Sequence, residues 1–516
     1  MQLATGNSLN INAGESLSLV SGTTLNYGTI NAGGALTNTS GANFTNNGTL
    51  NGSAALTNTS GAYLTNFGTT FNDTTLTNTS GAHLTNYGSM DNGLGLGTLI
   101  NTSGAFLTNY GDMNGGGMYV NSLGAHFTNY GDIINTPFSV GSSNVGGTLT
   151  NSSGAHFTNY GGITNNGTIT NNSGAIFTNY GAIGTFFFGS FNNDGTLINK
   201  SSASLTFVFD SSLGNSAYLA NSGTITIQDG GFGNSGTFNN SGTFSAGPTA
   251  LHDGSAIVNS GTFINSGTFS ADTSSECLGN VCFIRNSGTF INSGTFNDSS
   301  TLNNSGTFRN SGAVTISSSG VFTTSTNYTQ RAGSTLVDGT LTATSGAIVD
   351  IKGGTLSGTG AINGDVLMKG ILSPGSNGVP GALTINGNYE QGGAGVFDEL
   401  ISGANSNGVL DVTGILSLDP GSLLKITLQG GFDPLGDSFT ILDYGSLVGE
   451  FSNGSEFSAD GFEWSLSYNA NDAVLTAVGV PEPGTIPLIA IGFLAVLGFA
   501  AKRTCSTKAK GLAGQR

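Results

Sequence analysis

Leu36-Thr-Asn-Thr-Ser-Gly-Ala-Asn-Phe-Thr-Asn-Asn-Gly48 returns with small changes at Leu56 and at Leu76, an offset of 20 residues each time. Variants begin at Leu99, Leu149 and Ile169, and a degenerate copy spans Asn121 to Gly131. Within each copy, apolar and polar residues alternate, as in Ala82-His-Leu-Thr85, which is the period of a strand with one buried side. Gly beside Ser or Asn at the ends of these short runs supplies turns. Strands of four or five residues joined by tight corners, at about 20 residues per circuit, describe one coil of a β-solenoid.

A single coil of this kind cannot fold alone. It turns too few apolar side chains inward to offset the entropy of ordering the rest. Hydrogen bonds to the coils on either side must close the gap, helped by stacks of identical Asn, Phe and Leu. The spacing between copies becomes irregular after Leu76, which predicts loops inserted at one corner of the coil. From Asn221 a shorter unit, Asn-Ser-Gly-Thr-Phe/Ile-x, takes over, with six-residue steps such as Asn234 to Asn240 and Asn259 to Asn265. Sequons such as Asn38-Thr-Ser recur because the repeat recurs, and the expected place of their Asn is a stacked corner rather than a glycan site.

Composition agrees with an ordered, solvated β-protein. Of 516 residues, 85 are Gly and 32 are Phe; 37% are hydrophobic and only 8% are charged. Disordered chains are generally richer in charge and poorer in apolar residues. Before Lys502 the chain carries seven basic and 29 acidic residues, a net of −22, and the first cation is Lys200. Such a surface cannot neutralise phosphates, which excludes nucleic acid as a partner.

The chain ends differently from how it runs. Val480-Pro-Glu-Pro-Gly-Thr485 is followed by an apolar stretch from Ile486 to Ala501, then Lys502-Arg503 and a basic tail. Sixteen helical residues span roughly 24 Å, short of a hydrocarbon core of roughly 30 Å. Gly484 and Thr485 can extend the span and Lys502 can snorkel. A single transmembrane helix is therefore expected, with its basic end in the cytoplasm.

This tripartite end resembles the PEP-CTERM sorting signal of exported bacterial proteins, through Val480, Pro481, Glu482 and Pro483, the apolar run, and the flanking Lys502 and Arg503. The resemblance implies recognition and processing by an exosortase in the inner membrane and an association with exopolysaccharide. The start Met1-Gln-Leu-Ala-Thr-Gly6 has neither a cationic nor an apolar segment, so an upstream signal peptide is expected. Gly370-Ile-Leu-Ser-Pro-Gly-Ser-Asn-Gly378, Leu383 to Tyr389, and the closing Phe462-Glu-Trp-Ser-Leu-Ser-Tyr468 and Ala473 to Ala477 resemble the C-terminal part of autotransporter passenger β-helices.

These readings give four regions. Residues 1–200 form a solenoid of 20-residue repeats. Residues 201–312 form a solenoid of six-residue units, and 313–478 a β-rich C-terminal cap and stalk. Residues 479–516 form the sorting signal. The fold class is all-β, a β-solenoid of right-handed β-helix type.

Candidate sites are few. Cys277 and Cys282 either close a small disulfide loop outside the cell or stand as free thiols. His83, His126 and His156 share one repeat position with Asn43, Tyr63, Phe106 and Ile176, which reads as a solvent-facing slot able to stack on its neighbours. Thr37-Asn-Thr39, Thr57-Asn-Thr59 and Thr77-Asn-Thr79 make a short threonine array that fails further along. Tyr87, Tyr110, Tyr130, Tyr160 and Tyr180 recur before Gly, either as ladder residues at a corner or as aromatics facing a carbohydrate. The acids are scattered, and no catalytic triad, phosphate loop or calcium repeat is present. The expectation is a non-enzymatic, cofactor-free structural protein of the cell envelope or extracellular matrix, or a surface adhesin.

Overall fold

A computed structural model of the chain describes residues 1–479 apart from 94–96, 136–137, 141–142, 146, 153, 248–255 and 273–282. The described residues form strands and turns with no helix. The strands wind into a β-solenoid of about 17 turns. At about 4.8 Å per rung that is a rod of roughly 80 Å.

Each turn lays down three short strands in a fixed order. In one turn these are Asn43–Asn46 on face 1, Thr49–Gly52 on face 2 and Leu56–Asn58 on face 3. Every strand pairs in parallel with its equivalent one turn away: Tyr63 lies opposite Asn43 and His83, Thr69 opposite Thr49, and Leu76 opposite Leu56. Local sequence sets this geometry. A typical strand such as Tyr63-Leu-Thr-Asn66 is exposed, buried, half-buried, buried, so Leu64 and Asn66 point inward. The inward apolar positions stack into one continuous core that includes Leu64, Phe127 and Phe177.

The fourth, inward position builds the second half of the interior. Asn46, Asn66, Asn86, Asn109 and Asn129 are fully buried. Each donates its side-chain Nδ2–H to the Oδ1 of the next, at 2.7 Å from Asn46 to Asn129 and 2.8 Å from Asn129 to Asn159. This ladder runs on face 1 from Asn26 through Asn310, where Gln330 accepts the last side-chain bond. A second ladder on face 3 runs from Asn38 to Asn304 and ends on the Thr324 hydroxyl. Asn38 and Asn58 therefore stack at a corner, as the sequons predict.

Two corners use different solutions. Between faces 3 and 1, Thr39-Ser40-Gly41-Ala42 is a tight turn with φ of 57° at Ser40 and 72° at Gly41, closed by the Ala42 N–H on the Thr39 carbonyl. Left-handed φ at both central residues is the type I′ pattern, and Ser60-Gly61, Ser80-Gly81 and Ser103-Gly104 repeat it. Between faces 1 and 2, glycine is required for another reason. A Cβ at Gly48, Gly68, Gly88, Gly111 or Gly131 would overlap the carbonyl oxygen of the glycine one turn below.

The third corner, from face 2 to face 3, carries the insertions, as the irregular spacing predicts. The hairpin Phe138–Val140 with Ser143–Val145 sits there, as do the shorter hairpins closed by Val379–Pro380 and Ser406–Asn407. The same corner holds Phe187, Phe188, Phe209, Asp210 and Asp229, all with φ between 47° and 66°.

The six-residue unit is not a smaller coil. Asn234 ends a face-3 strand and Asn240 ends the next face-1 strand, so six residues is the step between neighbouring faces of one turn. The ladders run unbroken past residues 200 and 312. The parallel rungs continue to Leu423–Leu428 on face 2 and to Ser438–Gly449. An antiparallel unit, Glu456–Ala459, Phe462–Tyr468 and Asp472–Gly479, then closes the end, with Trp464 of its middle strand fully buried. The cap is thus shorter than the passenger-like sequence region, most of which belongs to the rod.

Candidate functional site

Face 1 gathers most of the chain's exposed aromatic residues into columns. In the strand His83–Asn86, His83 and Thr85 point outward, and Tyr87 follows at the corner. Parallel register repeats this arrangement at every rung. The residues therefore line up along the rod as two columns of rings with a column of threonines between them.

The corner column is Phe67, Tyr87, Tyr110, Tyr130, Tyr160 and Tyr180. Its ring centroids lie 4.7–4.9 Å apart and the planes differ by only 4–10°. Lys200 Nζ closes the column 5.8 Å from the Tyr180 ring. Exposure falls from 49% at Tyr87 to 38% at Tyr180, so all five tyrosines predicted as candidate ligand-facing residues lie on one surface. They meet it edge-on, because each ring covers the face of the next. Among the described residues, none of the five hydroxyls has a hydrogen-bond partner. At Tyr160, burial by its neighbours and the adjacent Tyr180 and Tyr130 push the phenol pKa upward, so it stays protonated.

The other ring column is Tyr63, His83, Phe106, His126 and His156, at 4.8–5.2 Å and within 8° of parallel. The histidine slot faces solvent and stacks on its neighbours, as its tolerance of varied residues predicts. Desolvation, and then the neighbouring His156, lower the pKa of His126, which favours the neutral ring. Among the described residues, no group of three or more His, Cys, Asp or Glu is placed to hold a metal ion.

The middle column is a different set of threonines from the Thr37-Asn-Thr39 array. Thr45, Thr65, Thr85, Thr108, Thr128, Thr158 and Thr178 are unbroken over seven rungs. The Thr37-Asn-Thr39 array lies on face 3 and gives way to Ile100 and Val120. The signal was present in the repeat itself, because the Thr-Asn pair after the inward Phe or Leu never varies in this region.

Charge is segregated. From Asn43 to Tyr180, face 1 carries no Asp, Glu, Lys or Arg, whereas Asp91, Asp112 and Asp132 stand in consecutive rungs on neighbouring face 2. Among the described residues, four acidic side chains are buried, Asp229, Asp298, Asp350 and Glu399, and two of them have strongly raised pKa values. Asp298 is fully buried; burial raises its pKa to about 7, opposed by hydrogen bonds from the Ser300 N–H and hydroxyl. Glu399 is also fully buried, and burial raises its pKa well above the usual carboxylate value although the Gly408 N–H donates to it at 2.8 Å.

Val480, Pro481, Glu482, Pro483, Lys502 and Arg503 lie outside the described residues, as do Cys277, Cys282 and His252. Among the described residues, no helix is long and apolar enough to cross a membrane. No family model matches the chain, and no curated protein matches it.

Proposed function

We propose that this chain is a non-enzymatic structural rod of the bacterial cell envelope or extracellular matrix. It is exported, directed by the PEP-CTERM-like segment at Val480–Pro483, processed by an exosortase-type enzyme, and associated with exopolysaccharide. The observation that carries the reading is the pair of buried asparagine ladders, continuous from Asn26 to Gln330 and from Asn38 to Thr324. They commit the polar interior to axial continuity, which is what a stiff spacer requires. In this reading the apolar segment from Ile486 to Ala501 holds the chain in the inner membrane, with Lys502 and Arg503 in the cytoplasm, until the tail is removed.

The test is mass spectrometry of the mature C-terminus together with cell fractionation. A surface or matrix protein ending near Pro483 supports sorting and cleavage. An intact Arg516 in the inner membrane supports a plain anchor. Full-length protein in the cytoplasm overturns export. A second reading, an adhesin that binds carbohydrate through a solenoid face, is favoured by the ordered tyrosine column on face 1.

A further inference from the structure

Exposed rings usually meet a sugar through their faces. In the column around Tyr130 those faces are already occupied: Tyr110 and Tyr160 lie against it at 4.9 and 4.8 Å, nearly parallel. What the column offers outward is its ring edges and a row of unpartnered hydroxyls, one per rung. A second hydroxyl row runs beside it, from Thr108, Thr128 and Thr158, which are two residues back along each strand. Two residues of chain separate the Cα positions of the rows, by at most roughly 7 Å because Tyr130 lies just past the strand His126–Asn129, and both rows repeat at about 4.8 Å along the axis. Stacking fixes the tyrosine rings before any ligand arrives, so little side-chain entropy is lost on binding.

The chemistry of the occupant follows from charge and repeat. Face 1 carries no Asp, Glu, Lys or Arg over these rungs, while Asp112 and Asp132 line the adjacent face. An anionic polymer would be repelled by that neighbour, and a cationic one would be drawn to it instead. A lattice of neutral hydroxyls in register with the rungs matches a neutral chain whose own hydroxyls repeat at a similar interval.

Resting on the carbohydrate-binding reading above, we infer that face 1 binds an uncharged, linear polysaccharide laid along the rod axis. The hydroxyls of Tyr110, Tyr130 and Tyr160 and of Thr108, Thr128 and Thr158 hold it; stacking on ring faces does not.

The experiment is isothermal titration of the full chain with cellohexaose, xylohexaose, mannohexaose and chitohexaose, with carboxymethylcellulose as the anionic comparison. The informative variant is Tyr110→Phe/Tyr130→Phe/Tyr160→Phe, which keeps the ring column and removes the hydroxyls; unchanged circular dichroism verifies the fold. The expected result is saturable binding of at least one neutral hexasaccharide, weaker binding of the anionic polymer, and a loss of about tenfold or more in the triple variant. Wild-type binding that survives in the triple variant and disappears in Tyr130→Ala/Tyr160→Ala would overturn the inference in favour of ring-face stacking, leaving the carbohydrate reading intact. Failure of every hexasaccharide to bind the wild-type chain defeats the carbohydrate reading itself. Light scattering that shows pairs of wild-type rods, lost in the triple variant, assigns face 1 to a second copy and also overturns the inference.

Discussion

Each asparagine inside the ladders has a donor and an acceptor to satisfy, and the rung above and the rung below satisfy them; at the start of the face-3 ladder the Asn38 Oδ1 has no partner. Asn129 accepts from Asn109 and donates to Asn159, and its Nδ2 also reaches the Gly131 carbonyl at 2.8 Å. Asn129→Ala removes one side chain, leaves the Asn159 Oδ1 without its donor and takes one acceptor from Asn109, so the expected loss is roughly 2–5 kcal/mol, read from urea unfolding. Asn47→Ala, an exposed residue of the same Asn-rich stretch, is expected within about 0.5 kcal/mol of wild type. Asp298 gives a residue-level pH dependence. It stands in an inward column between Ala271 and Ile316. Its pKa is about 7 folded against 3.8 as the reference. Between those values the folded chain keeps a proton that the unfolded chain has lost, so this group's contribution to stability falls as pH rises from 4 to 7 and is level above. The fall amounts to about 4 kcal/mol at most. Asp298→Asn keeps the acceptor for Ser300 and is expected to flatten the dependence of the urea midpoint over that range.

At the scale of the element, one strand of four residues and one corner are repeated with little variation, and the two kinds of glycine in them predict different outcomes. Gly131 must be glycine because the Gly111 carbonyl occupies the space of its Cβ. Gly131→Ala is expected to force adjacent rungs apart, with loss of the cooperative transition in circular dichroism. Gly233 lies in a face-3 strand, has nothing within 4 Å of its Cβ position and has no left-handed φ. Gly233→Ala is therefore expected to be neutral or to stabilise by up to about 1 kcal/mol, because a strand glycine carries extra backbone entropy. This distinction marks the limit of what could be read from residues alone. Alternation in Leu-Thr-Asn and the Ser-Gly pairs disclosed strands, turns and stacking, since both follow from local chemistry. The number of faces per turn did not emerge, because a six-residue interval reads equally as a small coil or as one side of a triangle. Nor did the edge-on presentation of Tyr87 to Tyr180, which depends on the axial distance between rings 20 to 30 residues apart.

For the whole molecule, stability is a sum over rungs and their interfaces, with few contacts between distant turns. A globular domain loses its core when 20 consecutive residues are removed; a solenoid loses one rung. Residues 47–66 make one turn, from the residue after Asn46 to Asn66. Deleting them joins Asn46 to Phe67 in the register that Asn66 had. Face 2 then pairs Thr29 with Thr69, face 3 pairs Leu36 with Leu76, and Asn46 donates to Asn86 in place of Asn66. The variant is expected to keep its β-sheet spectrum, to shorten by about 4.8 Å in X-ray scattering, and to unfold with a slightly smaller denaturant slope. Deleting residues 47–56 instead leads the chain from face 1 straight to face 3, so that turn lacks a wall and the face-2 ladder is broken. That variant is expected to expose apolar core and aggregate. Equal damage from both deletions would mean that the turns do not behave as independent rungs, and would count against a rod assembled turn by turn.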